Sequence, residues 1–360
     1  MNGAVKKSIR TVSQLVQAQL VDRDRAAALQ QVAARYAIAI TPAIADLIER
    51  SDPDDPIARQ FVPDIRELDR RPEESGDPIG DDRHSPVDGI VHRYPDRVLL
   101  KLINACAIYC RFCFRREMVG PGQGGLSPRA LEAALGYIAK CPQIWEVILT
   151  GGDPLLLSPR RLQDVVTRLA AIDHVKVIRV HTRVPIAAPE RISRALVRAL
   201  RTSKAAFVVL HANHRRELTA KVRAACARFI DAGMPMLSQT VLLPGVNDDV
   251  ESLGALMRTL VECRIKPYYL HHPDLAPGTA HLRTSIAAGQ GLMRALHGRY
   301  SGLCQPAYVL DIPGGYGKSP IGPNYLSADA GMVEDFNGRR HPYPPGRRSV
   351  APTPRPSRTD

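Results

Sequence analysis

The stretch NACAIYCRFCFRR, residues 104–116, sets Cys106, Cys110 and Cys113 within eight positions, as C-x3-C-x2-C. Structural zinc takes four ligands, and no second Cys-x-x-Cys or His pair completes this set. A [4Fe–4S] cluster takes one ligand per iron, so three thiolates leave one iron open to a small molecule. Three cysteines buried by coincidence are the plain alternative, but Arg111, Arg115 and Arg116 make the segment too polar for core. A second segment, LTGGDPL, carries Gly151, Gly152 and Asp153; alone, Gly-Gly-Asp-Pro is ordinary turn chemistry. A third, YVLDIPGGYGKSPIGPNYL, holds Lys318 behind a run of glycines. It is not a phosphate-binding loop, because Ile312 stands where that motif needs its first glycine and Pro320 and Pro323 oppose a following helix. A lysine so placed can form a Schiff base with pyridoxal phosphate. By itself the same run is an exposed turn.

The elements around these segments alternate strand and helix from residue 97 to about 312. RVLLKLI, WEVILTGG, VKVIRVHT, AAFVVLHAN, SQTVLLPG and KPYYLHH are short and rich in Val, Leu and Ile, as parallel strands buried on both faces are. In SPRALEAALGYIAK, Leu131, Ala134, Leu135 and Ile138 follow helical spacing behind Ser127 as N-cap and Pro128 at the first helical position. SPRRLQDVVTRLAAI opens the same way. Six βα units predict an α/β fold, a (β/α) barrel or part of one, with its chemistry on the loops after the strands. All three segments sit there. Residues 1–90 read as helices and a Pro- and Asp-rich connection capping the barrel, 91–285 as the barrel core, 286–330 as a helix and the lysine segment, and 331–360 as a basic, disordered tail.

Composition excludes several classes. The N-terminus carries polar and charged residues where a secretory leader needs an apolar run, and no apolar stretch is long enough to span a membrane. Seven cysteines, an odd count in 360 residues, are no disulfide framework. A reducing, cytoplasmic setting is expected. The net charge of +13 invites a nucleic-acid reading, but Arg339, Arg340, Arg347, Arg348, Arg355 and Arg358 of the tail account for much of the excess.

HRYPDRVLLKLINACAIYCRFCFRR, QTVLLPGVND, YYLHHPDLAPGTAHLRTSI and YVLDIPGGYGKSP resemble, in order and spacing, the lysine 2,3-aminomutase family of the radical S-adenosylmethionine superfamily, from about residue 30 to 326. The resemblance implies a partial (β/α)6 radical SAM barrel and three cofactors: a [4Fe–4S] cluster on Cys106, Cys110 and Cys113, S-adenosylmethionine, and pyridoxal phosphate on Lys318. It implies conversion of L-lysine to β-lysine, which starts by removing an unactivated hydrogen that no side-chain base could take as a proton. It further implies an electron donor such as flavodoxin or ferredoxin.

By the same likeness Arg93 and Arg97 lie on pyridoxal phosphate, and Gly151, Gly152 and Asp153 on S-adenosylmethionine. His211 and Gln239 lie near S-adenosylmethionine or substrate, although a satisfied His and Gln at strand ends are the plain alternative. Arg115 takes the substrate carboxylate, for which its planar fork is suited. Asp274 and Asp311 take the side-chain ammonium, independently of Lys318; as plain structure Asp274 is a turn former and Asp311 a helix or loop cap. Family members with a zinc site use a Cys just after GVND and more cysteines near the C-terminus. Here that position is Asp249 and no cysteine follows Cys304, so no zinc is expected and a homo-oligomer is left open. The pattern also resembles shorter relatives that make β-lysine for elongation factor P, which lack an aspartate at the position of Asp311. The alternatives are a glutamate or arginine 2,3-aminomutase, or an RNA-associated iron–sulfur enzyme.

Overall fold

The computed structural model describes residues 7–120, 122, 124–326 and 331–345. Its sheet begins with a hairpin: β1 (Ile90–Tyr94) runs antiparallel to β2 (Arg97–Ile103) through Pro95 and Asp96. β3 (Glu146–Gly151), β4 (Val177–Thr182), β5 (Ala205–His211), β6 (Met236–Val241), β7 (Ile265–His271) and β8 (Ala307–Ile312) follow in chain order, each parallel to the one before. β9 (Gly317–Pro320) returns antiparallel to β8, and the nine strands lie in sequence order with β1 and β9 at the edges.

The helices between strands form for local reasons legible in their sequences. Ser127 and Ser158 cap the helices Pro128–Lys140 and Pro159–Ala170, each followed by proline. Leu131, Ala134, Leu135 and Ile138 of the first, and Leu162, Val165, Val166 and Leu169 of the second, are buried, so one stripe of each helix closes the core. Asp249 accepts from the backbone N–H of Ser252 and caps the helix Val250–Glu262. The position where the resemblance puts a zinc-ligand cysteine in similar proteins is thus used as a helix cap.

The six βα units are present as expected, and a seventh parallel strand follows them: β8 lies between Pro306 and Pro313 and turns at once into β9 through Gly314 and Gly315, both at positive φ. Asp311 is therefore a strand residue and not a cap. One expectation is corrected. The tail is not disordered where it is described: β10 (Met332–Glu334) and β11 (Arg340–Pro342) form a hairpin. Arg294 pairs with Glu334, the N–H of Glu334 donates to the carbonyl of Tyr325 at 2.9 Å, and Phe336 packs against Gly298. Residues 346–360 of the tail lie outside the described residues. Among the described residues no helix is long and apolar enough to cross a membrane.

The N-terminal region holds the helices Val12–Gln17 and Ala26–Arg35, followed by the acidic connection. The connection crosses the loops at the C-terminal ends of the strands and supplies them with buried acids. Glu67 is fully buried; it accepts from Arg111 Nε at 2.9 Å and also pairs with Arg116. Replacing it leaves two buried guanidinium groups without their counter-charge. Glu67→Gln should cost roughly 3–5 kcal/mol, read from urea unfolding; a loss of about 1 kcal/mol or less, typical of exposed pairs, would show that the triad is not the clamp described.

Candidate active site

A cavity of about 450 Å³ occupies the barrel, and every site residue read from the sequence lines it: Arg93, Arg97, Cys106, Cys110, Cys113, Arg115, Gly151, Gly152, Asp153, His211, Gln239, Asp274, Asp311 and Lys318. The cysteines lie on the loop after β2. That loop is pinned by backbone bonds from Tyr109 N to Ala39 O and from Arg111 N to Gln60 O, both 2.9 Å, and by Tyr109 Oη donating to the carbonyl of Arg116 at 2.8 Å. Burial raises all three thiols above the ordinary range, Cys110 to about 12. As free thiols they hold their protons, and a metal must displace them. Among the described residues no three His, Cys, Asp or Glu side chains converge on one ion. Thiols that each take a different iron of a cube need no such convergence.

Gly151 and Gly152 are required by space. Gly151 has φ +112°, and a Cβ on either residue would run into the backbone at Ile103 or Ala105, at the start of the cysteine loop. Asp153 acts differently from expectation. Its carboxylate accepts from the N–H groups of Leu155, Arg183 and Val184 and from Thr182 Oγ1, the last at 2.8 Å. Burial, opposed by these donors, lifts it to about 6. Its acceptors are committed to the protein, so the side chain ties the ends of β3 and β4 together and is not available to a cofactor.

His211 ends β5 and Gln239 is paired with it in register on β6. Two imidazoles the sequence did not single out as site residues, His181 on β4 and His271 on β7, face the same cavity. In all three histidines Nε2 is buried without a partner, and burial lowers each, His211 to about 3 with help from the charge of Arg183. They stand as neutral rings with an unused polar atom. Such atoms are costly unless something binds them.

At the far strands the charges interlock. Lys318 faces Asp311 in the β8–β9 register, and its Nζ donates to Asp311 Oδ2. The backbone N–H of Lys318 donates to Tyr94 Oη at 2.6 Å, joining the two sheet edges. Burial would raise the carboxyl of Asp311, but His271, with Nδ1 3.7 Å away, and the Lys318 ammonium hold it below the ordinary range. The expected independence of Asp311 from Lys318 is therefore wrong: the strand register makes them partners. Arg93 Nη1 approaches Asp311 Oδ1 at 3.9 Å, and Arg97 stacks on the Tyr94 ring at 3.8 Å. Asp274 has the opposite character. Its Oδ1 is buried without a partner, and burial, then the like charge of Asp311, push it up to about 7 against Lys318, Arg115 and Arg93.

A family model described as Radical SAM superfamily matches residues 100–257. An L-lysine 2,3-aminomutase of Clostridium subterminale is 37% identical over 93% of this chain and 81% of its own length. Another, of Acetoanaerobium sticklandii, is 42% identical over 80% of this chain and 70% of its own length. The chain belongs to the lysine 2,3-aminomutase family. A glutamate 2,3-aminomutase of Clostridioides difficile is also similar, 33% identical over 86% and 74%. Membership in this radical SAM isomerase family brings a [4Fe–4S] cluster, S-adenosylmethionine and pyridoxal phosphate. The residues present fit them: three thiols on one cavity wall, glycines at the foot of the cysteine loop, unpartnered imidazoles beyond, and a lysine beside Arg93, Tyr94 and Arg97.

Two measurements test the assignment. Anaerobically reconstituted protein should hold about four iron and four sulfide per chain, lost on replacing Cys106, Cys110 and Cys113 by Ala but kept when Cys141, Cys226, Cys263 and Cys304 are replaced. Borohydride reduction with pyridoxal phosphate should leave a pyridoxyl group on Lys318. Peptide mapping that finds it on another lysine would remove Lys318 from the site.

Proposed function

We propose that the cavity binds L-lysine and isomerises it to β-lysine by moving the amino group from the α- to the β-carbon. When bound, the cluster with S-adenosylmethionine supplies a radical able to take an unactivated hydrogen atom, and pyridoxal phosphate carries the migrating nitrogen. The chain's own residues bind, orient and exclude water. Cys106, Cys110 and Cys113 hold the cluster and Lys318 the pyridoxal group, with Arg93 and Arg97 beside its phosphate. Gly151, Gly152, His211 and Gln239 line the S-adenosylmethionine end, and Arg115 receives the substrate carboxylate.

The observation that carries the choice of lysine is the buried, unpartnered Oδ1 of Asp274 near Asp311. An arriving ammonium relieves both the repulsion between the two acids and the missing hydrogen bond. A glutamate side chain would add a third carboxylate to the same place, which disfavours that relative's substrate here. The ion pair of Asp311 with Lys318 fits the same picture, since it shows an alkylammonium already accepted at that carboxylate. A flavodoxin- or ferredoxin-type donor and a reducing cytoplasm belong to this reading, which suits a monomer or a homo-oligomer alike.

Anaerobic reconstituted enzyme offered lysine, glutamate and arginine should form the β-isomer of lysine in large excess by mass spectrometry; preference for glutamate would overturn the reading. Asp274→Asn is a cleaner specificity variant than Asp311→Asn, because Asp274 Oδ1 has no partner to lose while Asp311 is tied to Lys318. It should weaken lysine binding by about two to four powers of ten, the equivalent of roughly 3–5 kcal/mol, with iron content and the Lys318 adduct unchanged.

The acid–base sign follows from the raised carboxyl. Below about 7 Asp274 is protonated in the free protein and must lose that proton to meet an ammonium, so lysine affinity should rise between pH 6 and 8 and then level off. Asp274→Asn should flatten the rise; an unchanged slope in the variant would assign it to another group.

A further inference from the structure

Asp81 lies in the acidic connection, outside every motif the sequence offers, and is fully buried. Both of its carboxylate oxygens are in use. Oδ1 accepts from Arg93 Nη2 at 2.9 Å, and Oδ2 accepts from Arg115 Nη2 at 2.7 Å and Nε at 3.1 Å. Both arginines line the cavity; Asp81 stands behind them. The two guanidinium charges outweigh the effect of burial and hold its carboxyl below the ordinary range, so it is an anion.

Asp81 is itself tightly fixed. Its N–H donates to Asp77 Oδ1 at 2.8 Å, and its carbonyl accepts from Ser85 Oγ at 2.9 Å. On one side Gly80, at φ +67°, packs so closely on Gly314 and Gly315 that a Cβ would strike their backbone. On the other, Arg83 and His84 bond the carbonyls of Gly314 and Gly315 at the tip of the Lys318 hairpin. The carboxylate therefore sits at a defined point relative to both the cysteine loop and Lys318.

Its grip selects which atoms of the arginines remain free. Arg115 is held by its Nε and Nη2 edge, so Nη1 has no partner among the described residues. Arg93 gives Nη2 to Asp81 and to the carbonyl of Ile79 at 2.7 Å, while its Nη1 stays 3.9 Å from Asp311 and its Nε is buried and unpartnered. Without Asp81, Arg115 loses the acceptor that fixes its plane. We propose that Asp81 is a positioning residue for the substrate: it holds Arg115 so that Nη1 is left for the α-carboxylate, with Arg93 on its other oxygen fixing the acid in place. The inference rests on Arg115 as the carboxylate receptor.

The test uses holoenzyme loaded with cluster and pyridoxal phosphate, without S-adenosylmethionine so that nothing turns over. Dissociation constants of L-lysine and L-lysinamide, which lacks the carboxylate charge, are measured by equilibrium dialysis. Asp81→Asn keeps the shape but offers one acceptor where two arginines need two. It should weaken lysine roughly tenfold to a hundredfold, the scale of misplacing a binding group by about an ångström, and lysinamide much less, so that the ratio of the lysinamide to the lysine dissociation constant falls toward one. Iron content and the Lys318 adduct should stay as in the parent, and in turnover KM should rise more than kcat falls. Asp81→Glu, which keeps the charge one methylene further out, should give an intermediate ratio.

An unchanged ratio in Asp81→Asn, or equal weakening of both ligands, overturns the proposal; if only Asp81→Glu folds, an unchanged ratio in that variant does so. Arg115→Lys separates the two levels. If it lowers the ratio while Asp81→Asn does not, Asp81 alone is wrongly assigned; if it leaves the ratio unchanged, the reading of Arg115 fails.

Discussion

The buried pairing of Glu67 with Arg111 and Arg116 is the constraint on which the rest of the site depends. It binds a residue of the N-terminal connection to the loop that carries the three cysteines, and all three charged groups are almost completely enclosed. Such a triad adds little net stability over an apolar replacement, but it tolerates only one arrangement, since losing a member leaves a buried charge. Its neighbours repeat the device around the barrel mouth. Asp55 pairs with Arg216 and Glu74 with Arg283, while Gln60 accepts from Arg183 at 2.7 Å and from Asn213 at 3.1 Å. Successive residues of one connection thus hold the loops after β2, β4, β5 and β7, which a sheet open between β1 and β9 would not hold by itself.

The polar groups left without partners are distributed with the same logic. Around the clamps the acids are saturated with donors, although Arg116, Arg183 and Arg283 each keep a buried Nε unpartnered; inside the cavity acceptors are left over as well. His181 Nε2, His211 Nε2, His271 Nε2, Arg93 Nε and Asp274 Oδ1 are buried and unpaired, and their residues line the one space. Leaving such atoms unsatisfied costs about 1–3 kcal/mol each, a cost that a bound group with its own donors and acceptors removes. The neutrality of the histidines follows from the same burial, which together with nearby arginines makes a protonated imidazole unfavourable.

What the sequence made legible divides along physical lines. The cysteine spacing, the paired glycines and the lysine behind its glycine turn are local signals, set by residues within a few positions of each other, and all of them line the cavity. The helices with Ser-Pro starts were legible for the same reason, since their caps and apolar stripes are local too. Glu67 and Asp81 were not legible, because in the connection DPDDPIARQFVPDIRELDRRPEESGDPIGDD an acid that will be buried looks the same as one that will be solvated. Their partners lie 12 to 49 positions away. Arg111 and Arg116 carried a partial signal: two arginines within and just after a cysteine loop that must approach a cofactor are too many to leave unpaired, which points to acids elsewhere without naming them. Asp153 was misread for the converse reason. Its place after Gly-Gly marks the right loop, but only the backbone of β4's end shows that its acceptors are already taken.

The β8–β9 hairpin shows why the distinction matters for chemistry. Read as a loop, GGYGK would leave Lys318 mobile and Asp311 a separate recognition group. As a hairpin it puts them opposite each other in an antiparallel register, where facing side chains stand close enough for direct contact. Shifting that register by one residue would turn either side chain to the other face and lose the pair. The glycines at positive φ are what let the chain reverse in so few residues, and Tyr94, Arg83 and His84 then fix the hairpin to β1 and to the connection. Lys318 and Asp311 are therefore one positioned unit, and any change at Asp311 is felt at the lysine before it is felt by a substrate. In the proposed reading, recognition of an ammonium independent of that unit falls to Asp274, an acid of the same cavity whose Oδ1 the fold leaves without a partner.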